Sequence, residues 1–313
     1  MEILEEVLET PQAKPKKYIR PEIILGLIAG LEVIFLIFML IWSLPTILTG
    51  EADPEIYIHQ NHVNESLPEE TEATTEETEP EETTEPTIPP ERNPYGRLDF
   101  QYNRNNYLLC QEQDSYPGID VSAFQGEIDW QQVADSGIQF AIVRLGYRGY
   151  GKAGKMVEDE YAKKNLQGAR EAGLAVGAYF FSQALSIEEV DEEIEFFLDI
   201  LGDFRLDMPL ILDWEQVGVE GARTNNMDAR TLTNMQLHFC KTMTEKGYRP
   251  MIYFNWSQSS RLLYLSELEE YPFWLALYQD RMTYPYKVEM WQYTDQGKVP
   301  GIQGNVDINV YMP

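Results

Sequence analysis

From about residue 115 to the C-terminus, short apolar runs alternate with amphipathic stretches. The runs at 118–122, 138–145, 174–181, 209–214, 249–254, 273–278, 288–293 and 306–310 have the length and texture of buried strands. Between the early ones, 159–172, 187–201 and 228–246 show apolar residues at helical spacing. Strand alternating with helix implies a parallel sheet, and eight strands in about 200 residues fit a small barrel. After Phe273 the connections are too short for full helices. The pattern therefore predicts an α/β fold: an irregular TIM-like (β/α) barrel of about eight strands.

The first third of the chain has a different pattern. The segment from Ile23 to Trp42 is almost continuously apolar, and about 20 such residues cross a bilayer as a helix. Lys14, Lys16, Lys17 and Arg20 precede it, and no basic residue follows until Arg92. By the positive-inside rule the N-terminus is cytoplasmic and the rest extracellular. The run is too long for a signal peptide, so an uncleaved anchor in the cell membrane is expected. Glu32 lies near its middle as a protonated or snorkelling acid. Gly26 and Gly30 form a GxxxG pattern that permits a weak helix–helix dimer. Glu65 to Glu91 is mostly Glu, Thr and Pro, which reads as a disordered, extended stalk. The expected organisation is a cytoplasmic tail (1–21), a transmembrane helix (22–42), a stalk and lead-in (43–113) and a catalytic barrel (114–313).

Composition narrows the function. The net charge of −28 is unevenly spread, with roughly half of it between Glu51 and Glu91. A chain this acidic, without clustered Lys and Arg past its N-terminus, is not a nucleic-acid binder. Two cysteines, Cys110 and Cys240, are too few for a disulfide scaffold or a metal cluster. Buried free thiols are the favoured reading and a Cys110–Cys240 bridge the alternative. The three histidines, His59, His62 and His238, form no ligand set, so neither a metal nor a cofactor is expected.

The candidate chemistry is carboxylate chemistry. Residues 210–215 read Leu-Ile-Leu-Asp-Trp-Glu. Alternation along a strand puts Asp213 and Glu215 on one face and turns Trp214 into the helix layer. Carboxylates at C-terminal strand ends of a barrel line its active-site mouth. Asp120 closes the first strand in the same way, and Asp307 lies in the last. Crowded acids drive their pKa values apart, leaving one protonated beside ionised partners. Glycosidic cleavage needs such a pair; a magnesium or calcium site is the other chemical reading. Tyr179, Tyr253, Tyr278 and Trp291 fall near strand ends, where aromatic faces can stack on sugar rings. Asp129, before Trp130-Gln131-Gln132, reads as a helix cap without a catalytic part.

Four motifs occur in order: Gly118-Ile119-Asp120-Val121-Ser122 with Phe124-Gln125-Gly126; Leu212-Asp213-Trp214-Glu215; Trp291-Gln292-Tyr293; and Val306-Asp307-Ile308-Asn309. Together they resemble the glycoside hydrolase family 25 lysozymes over about 200 residues. The resemblance implies an irregular barrel that cuts peptidoglycan between N-acetylmuramic acid and N-acetylglucosamine. It makes Glu215 the general acid and Asp213 its partner, with Asp120 and Asp307 as further rim carboxylates. Tyr179, Tyr278 and Trp291 would line the sugar groove, joined by Tyr253 and Arg144. Where some members carry a histidine just after the tyrosine, this chain has Phe180 and Phe181. The competing reading is an inactive, membrane-anchored barrel that binds glycan or serves as a scaffold.

Overall fold

The computed structural model describes residues 90–96 and 98–313. The apolar segment from Ile23 to Trp42 with Glu32, Gly26 and Gly30, the histidines His59 and His62, and the stalk up to residue 89 lie outside the described residues. Among the described residues, no helix is long and apolar enough to cross a membrane.

Eight strands close into a barrel. In spatial order they are β3 (Tyr116–Val121), β11 (Val306–Tyr311), β10 (Met290–Gly297), β9 (Phe273–Ala276), β8 (Pro250–Asn255), β7 (Leu210–Trp214), β6 (Ala175–Ser182) and β4 (Phe140–Arg148), with β4 pairing back to β3. A short β5 (Met156–Glu158) adds antiparallel to β4. Every pairing from β3 through β4, β6, β7, β8 and β9 to β10 is parallel. Only β11 runs the other way, antiparallel to both β10 and β3. The eight expected strands are the eight of the barrel. The prediction of short late connections holds as well, because β10 returns directly into β11 without a helix.

Helices α1 (Trp130–Asp135), α2 (Ala162–Glu171), α3 (Ile187–Leu201), α4 (Ala229–Glu245) and α5 (Trp256–Arg261) cover the outside of the parallel part. Their starts follow capping chemistry: Ser186 accepts from the amide of Glu189, and Asp228 from that of Thr231. Asp129 likewise caps α1, accepting from the Gln132 amide. On α3, Val190, Ile194, Phe197 and Leu201 recur at three- and four-residue steps and are buried.

Strand alternation divides the apolar residues into two layers. Phe140, Ile142, Ile211, Met251, Trp274, Met290 and Tyr311 fill the barrel interior. Trp214, Phe180, Leu212, Phe254, Trp291 and Val310 pack outward with the helices. Gly118 is required by the interior: a Cβ there would stand 2.3 Å from the Phe140 ring.

The lead-in is packed on the barrel. Arg92 bridges Tyr286, and Lys287 donates from its amide to the Glu91 carbonyl at 2.8 Å. A hairpin of β1 (Phe100–Tyr102) and β2 (Leu108–Cys110) follows. Phe100 meets Trp291 edge to face at 5.1 Å, and the Leu108 amide donates to the Tyr293 hydroxyl at 3.2 Å. Cys110 and Cys240 are both buried and free, so the bridge alternative does not hold; burial pushes the Cys240 thiol well above the ordinary thiol range.

Candidate active site

The carboxylates converge because two parallel strands end, and one antiparallel strand begins, at the same mouth. Asp120 is the penultimate residue of β3, and Asp213 and Glu215 bracket the end of β7. Asp307 is the second residue of β11, which runs downward from the mouth, and it pairs directly with Asp120. Asp120, Asp213 and Glu215 are all at least nine-tenths buried. Trp214, between the two β7 acids, points outward and donates its indole N–H to the Ala184 carbonyl at 2.9 Å.

Asp120 is fixed by a network absent from the sequence reading. Its Oδ2 accepts from the Gln292 amide at 2.9 Å and from the Asn309 amide at 2.7 Å. The orientation of each amide is set from behind. Trp274 Nε1 donates to Asn309 Oδ1 at 2.8 Å, and the Tyr278 hydroxyl donates to Gln292 Oε1 at 3.0 Å. The Tyr253 hydroxyl reaches the same oxygen at 3.4 Å. Each carbonyl oxygen is thereby occupied, and each NH2 turns to Asp120.

Burial raises the Asp120 pKa above the ordinary carboxylate range, opposed by the donors Asn309 and Gln292 and by a hydrogen bond with Asp307. Tyr253 and Tyr278 are pushed well above 10, first by burial and then by surrounding charge. Glu215, Asp213 and Asp120 act on Tyr253; Asp307, Glu215, Asp120 and Asp295 act on Tyr278. Both tyrosines therefore remain protonated donors amid the acids.

The structure brings Asp120, Asp213, Glu215, Asp307, Tyr253 and Tyr278 together at one mouth. Tyr179 joins them from the barrel interior, paired between Arg144 and Ile211. Two expected groove residues are placed differently. Trp291 has the opposite parity to Met290 and Gln292. It is fully buried in the outer core, with its indole N–H on the Leu277 carbonyl at 2.8 Å. Arg144 is also buried, bonded through Nε to Asp159 Oδ2 at 2.8 Å. That same oxygen accepts from the Ala123 amide, so Arg144 and Asp159 buttress the turn that follows Asp120. The Arg144 guanidinium lies 5.7 Å from the Phe124 ring and 5.3 Å from the Tyr147 ring.

Gln292, Asn309, Phe124 and Asp295 were missed as site residues. Gln292 and Asn309 lay inside the quoted motifs, one residue from Trp291 and two from Asp307; strand parity was the available signal. Phe124 is 42% exposed beside the mouth and offers an aromatic face to solvent. Asp295 was missed because β10 runs to Gly297, beyond the expected end at residue 293. Among the described residues, no group of three or more His, Cys, Asp and Glu is arranged to hold a metal ion. Asp213, Glu215 and Asp307 offer what glycosidic cleavage needs: one carboxyl group protonated to give a proton, others ionised to stabilise positive charge.

Comparison with known proteins agrees with this geometry. The profile of Glycosyl hydrolases family 25 matches residues 119–302. An uncharacterized Escherichia coli K12 protein, YegX, is 35% identical over 212 residues, 62% of this chain and 68% of its own. Lysozyme M1 of Streptomyces globisporus is 25% identical over 204 residues, covering 62% and 67%. The modular autolysin LytC of Streptococcus pneumoniae shares the fold at a TM-score of 0.57 and 24% identity. That match covers 72% of this chain and 52% of LytC, so the chain spans about half of that autolysin's length. The chain belongs to glycosyl hydrolases family 25, and its barrel is a glycoside hydrolase domain.

Proposed function

We propose that the chain is a peptidoglycan hydrolase, an N-acetylmuramidase that cleaves the β-1,4 bond between N-acetylmuramic acid and N-acetylglucosamine. The ring of buried carboxyl groups at one mouth of the barrel carries this reading, in a family whose relatives include proteins named lysozyme. Glu215 protonates the leaving glycosidic oxygen. Asp213, beside it on the same strand, orients the 2-acetamido group of the muramic acid, whose carbonyl oxygen attacks the anomeric carbon. The resulting oxazolinium ion is stabilised by Asp213 and opened by water. Two acids two residues apart on one strand are poorly placed to act from opposite faces of a sugar, which favours this substrate-assisted route. Asp120, with Asp307 beside it, fixes the floor of the groove through Gln292 and Asn309. The Tyr253 and Tyr278 hydroxyls, which donate to Gln292, accept from sugar hydroxyls, while Tyr179 and Phe124 line the walls.

The test is loss of turbidity of purified cell walls with the isolated protein, followed by analysis of the new reducing ends. Muramic acid reducing ends are expected from the wild-type chain. Glu215→Gln should lower turnover by about a thousandfold, within the span of general-acid contributions, while glycan binding persists. Unchanged turnover in that variant overturns the role of Glu215. A wild-type chain that binds glycan without cutting it returns the competing reading of an inactive barrel.

The segment from Ile23 to Trp42 is proposed as a cell-membrane anchor with the barrel outside the cell, on the strength of its apolar length and the basic residues before it. The folded unit is proposed to start near Pro90, because residues 91–110 pack on the barrel. Protease added to wall-stripped cells should then release a soluble barrel fragment cut before residue 90. Full protection of the barrel would reverse the orientation.

A further inference from the structure

Asp295, late on β10, is a further acid near the mouth, outside the hydrogen-bond network around Asp120. β10 is irregular against β11: Gln292 pairs with Asn309, Thr294 with Ile308 and Gly297 with Val306, with a shift between each pair. Ile308 belongs to the outer core, so Thr294 opposite it faces outward too. Asp295 then turns to the other face, the one Asp307 occupies. Asp295 and Gln296 together oppose the single residue Asp307, which pairs on its other side with Asp120. Three aspartates thus stand in a row across β10, β11 and β3.

Asp295 is only 7% exposed, yet its charge reaches the Tyr278 hydroxyl. Among the described residues it enters no hydrogen bond and no ion pair, and its carboxylate oxygens are not sealed from solvent. Its neighbours bond elsewhere: Gln296 with Asn305, and Lys298 with the Gly304 carbonyl. Such a carboxylate, nine-tenths buried and without a donor among the described residues, is ready to accept one from outside the chain. Beside Asp307 it also meets like charge, which is unfavourable in a cross-strand pair. A positively charged donor would meet both carboxylates with charge-assisted bonds.

We propose that Asp295 and Asp307 form a subsite for a primary ammonium group of the glycan substrate. The proposal rests on the muramidase reading and narrows its substrate class. An ammonium has three donors and can bridge two carboxylates with charge-assisted bonds, which a neutral amide or hydroxyl cannot match. Two parts of a peptide-bearing glycan strand offer that group. One is the free 2-amino group of an unacetylated glucosamine; the other is the side-chain amine of a diamino acid in the stem peptide.

Kinetics on three matched glycans separate these sources. One has fully acetylated sugars and amine-blocked stems, the second has unacetylated glucosamine without stems, and the third has acetylated sugars with free stem amines. The wild-type chain should show a KM about tenfold lower on one of the two ammonium glycans than on the neutral one, as expected of a hydrogen bond to a charged group. That preference should shrink with added salt. In Asp295→Asn and Asp295→Ser the KM ratio between ammonium and neutral glycans should collapse to near one, whatever change is common to both. An unaltered ratio in both variants, or no wild-type preference for either ammonium glycan, overturns the proposal. Failure of the muramidase reading looks different, with no glycan cut at all. Affinities of Glu215→Gln for the same three glycans then decide the subsite without turnover.

Discussion

The two parts of the barrel wall bring acids to one mouth by different geometry. From β3 through β9 the strands are parallel, so the mouth collects C-terminal strand ends: Asp120 on β3, and Asp213 and Glu215 at the end of β7. The β10–β11 hairpin reverses direction at the mouth. Its contribution comes from the turn-proximal part of both strands, with Asp295 late on β10 and Asp307 early on β11. Deeper in the same hairpin, Gln292 and Asn309 are register partners that hold Asp120 from one side. The parallel part supplies the groups that would do the chemistry, and the hairpin supplies the groups that hold and polarise them.

That division predicts unequal losses. Asp213→Asn on the parallel side should lower turnover by about a hundredfold to a thousandfold with little loss of stability, as removal of a group acting in the transition state does. Asn309→Leu on the hairpin side should cost about tenfold in turnover and about 1–3 kcal/mol in stability, since Asp120 and the Trp274 indole N–H each lose a partner. Turnover numbers and denaturant melts of the two variants check this. A larger loss of turnover in Asn309→Leu than in Asp213→Asn would erase the distinction between the two parts.

The same contrast explains what could be read from the sequence. On the parallel side an apolar run that ends in an acid marks the mouth directly, so Asp120, Asp213 and Glu215 were legible, and so was the outward turn of Trp214. Asp307 was found through its motif, not through a strand-end rule, since it starts its strand. Trp291 was misread because position near a strand end was used where parity decides: Met290 and Gln292 face in, so Trp291 faces out. Asp295 was invisible because the irregular register of β10 breaks simple alternation. The lead-in hairpin was hidden for another reason. Its anchor, Phe100 against Trp291, joins residues far apart in sequence, and three-residue strands carry too little periodicity to announce themselves.

The revised position of Trp291 is directly testable. Trp291→Phe keeps an aromatic ring against Phe100 but removes the indole N–H that serves the Leu277 carbonyl. It should cost about 1–3 kcal/mol of stability, the penalty for a buried acceptor left without its donor. KM for glycan should stay within about twofold, because the ring lies outside the barrel wall. A large rise in KM with unchanged stability would return Trp291 to the groove.

On the parallel side, a second charged cluster lies behind the wall and supports β4 and β6 against α3. Glu193 of α3 is fully buried, and its Oε1 accepts from Arg148 Nε at 2.7 Å. Arg148 also donates to the Gly154 and Glu189 carbonyls and to Glu192, while Arg223 pairs with the Glu189 carboxylate. Burial pushes the Glu193 pKa from its ordinary 4.5 up to about 7, against the pull of the Ser182 hydroxyl and Arg148. A raised carboxyl pKa means that the folded chain binds the proton more tightly than the unfolded chain. Its contribution is complete below about pH 4.5 and is lost as pH rises to about 7, so stability should fall across that window by ~3 kcal/mol at most. Glu193→Gln keeps the shape and the Arg148 contact but does not titrate. Wild-type stability minus variant stability should therefore decline from pH 5 to pH 7 and level off above it. Asp120, whose pKa is also raised, is present in both chains and cancels in the difference. Parallel stability curves across this range would show that Glu193 stays ionised against Arg148 throughout, and that the pH response belongs to the mouth of the barrel instead.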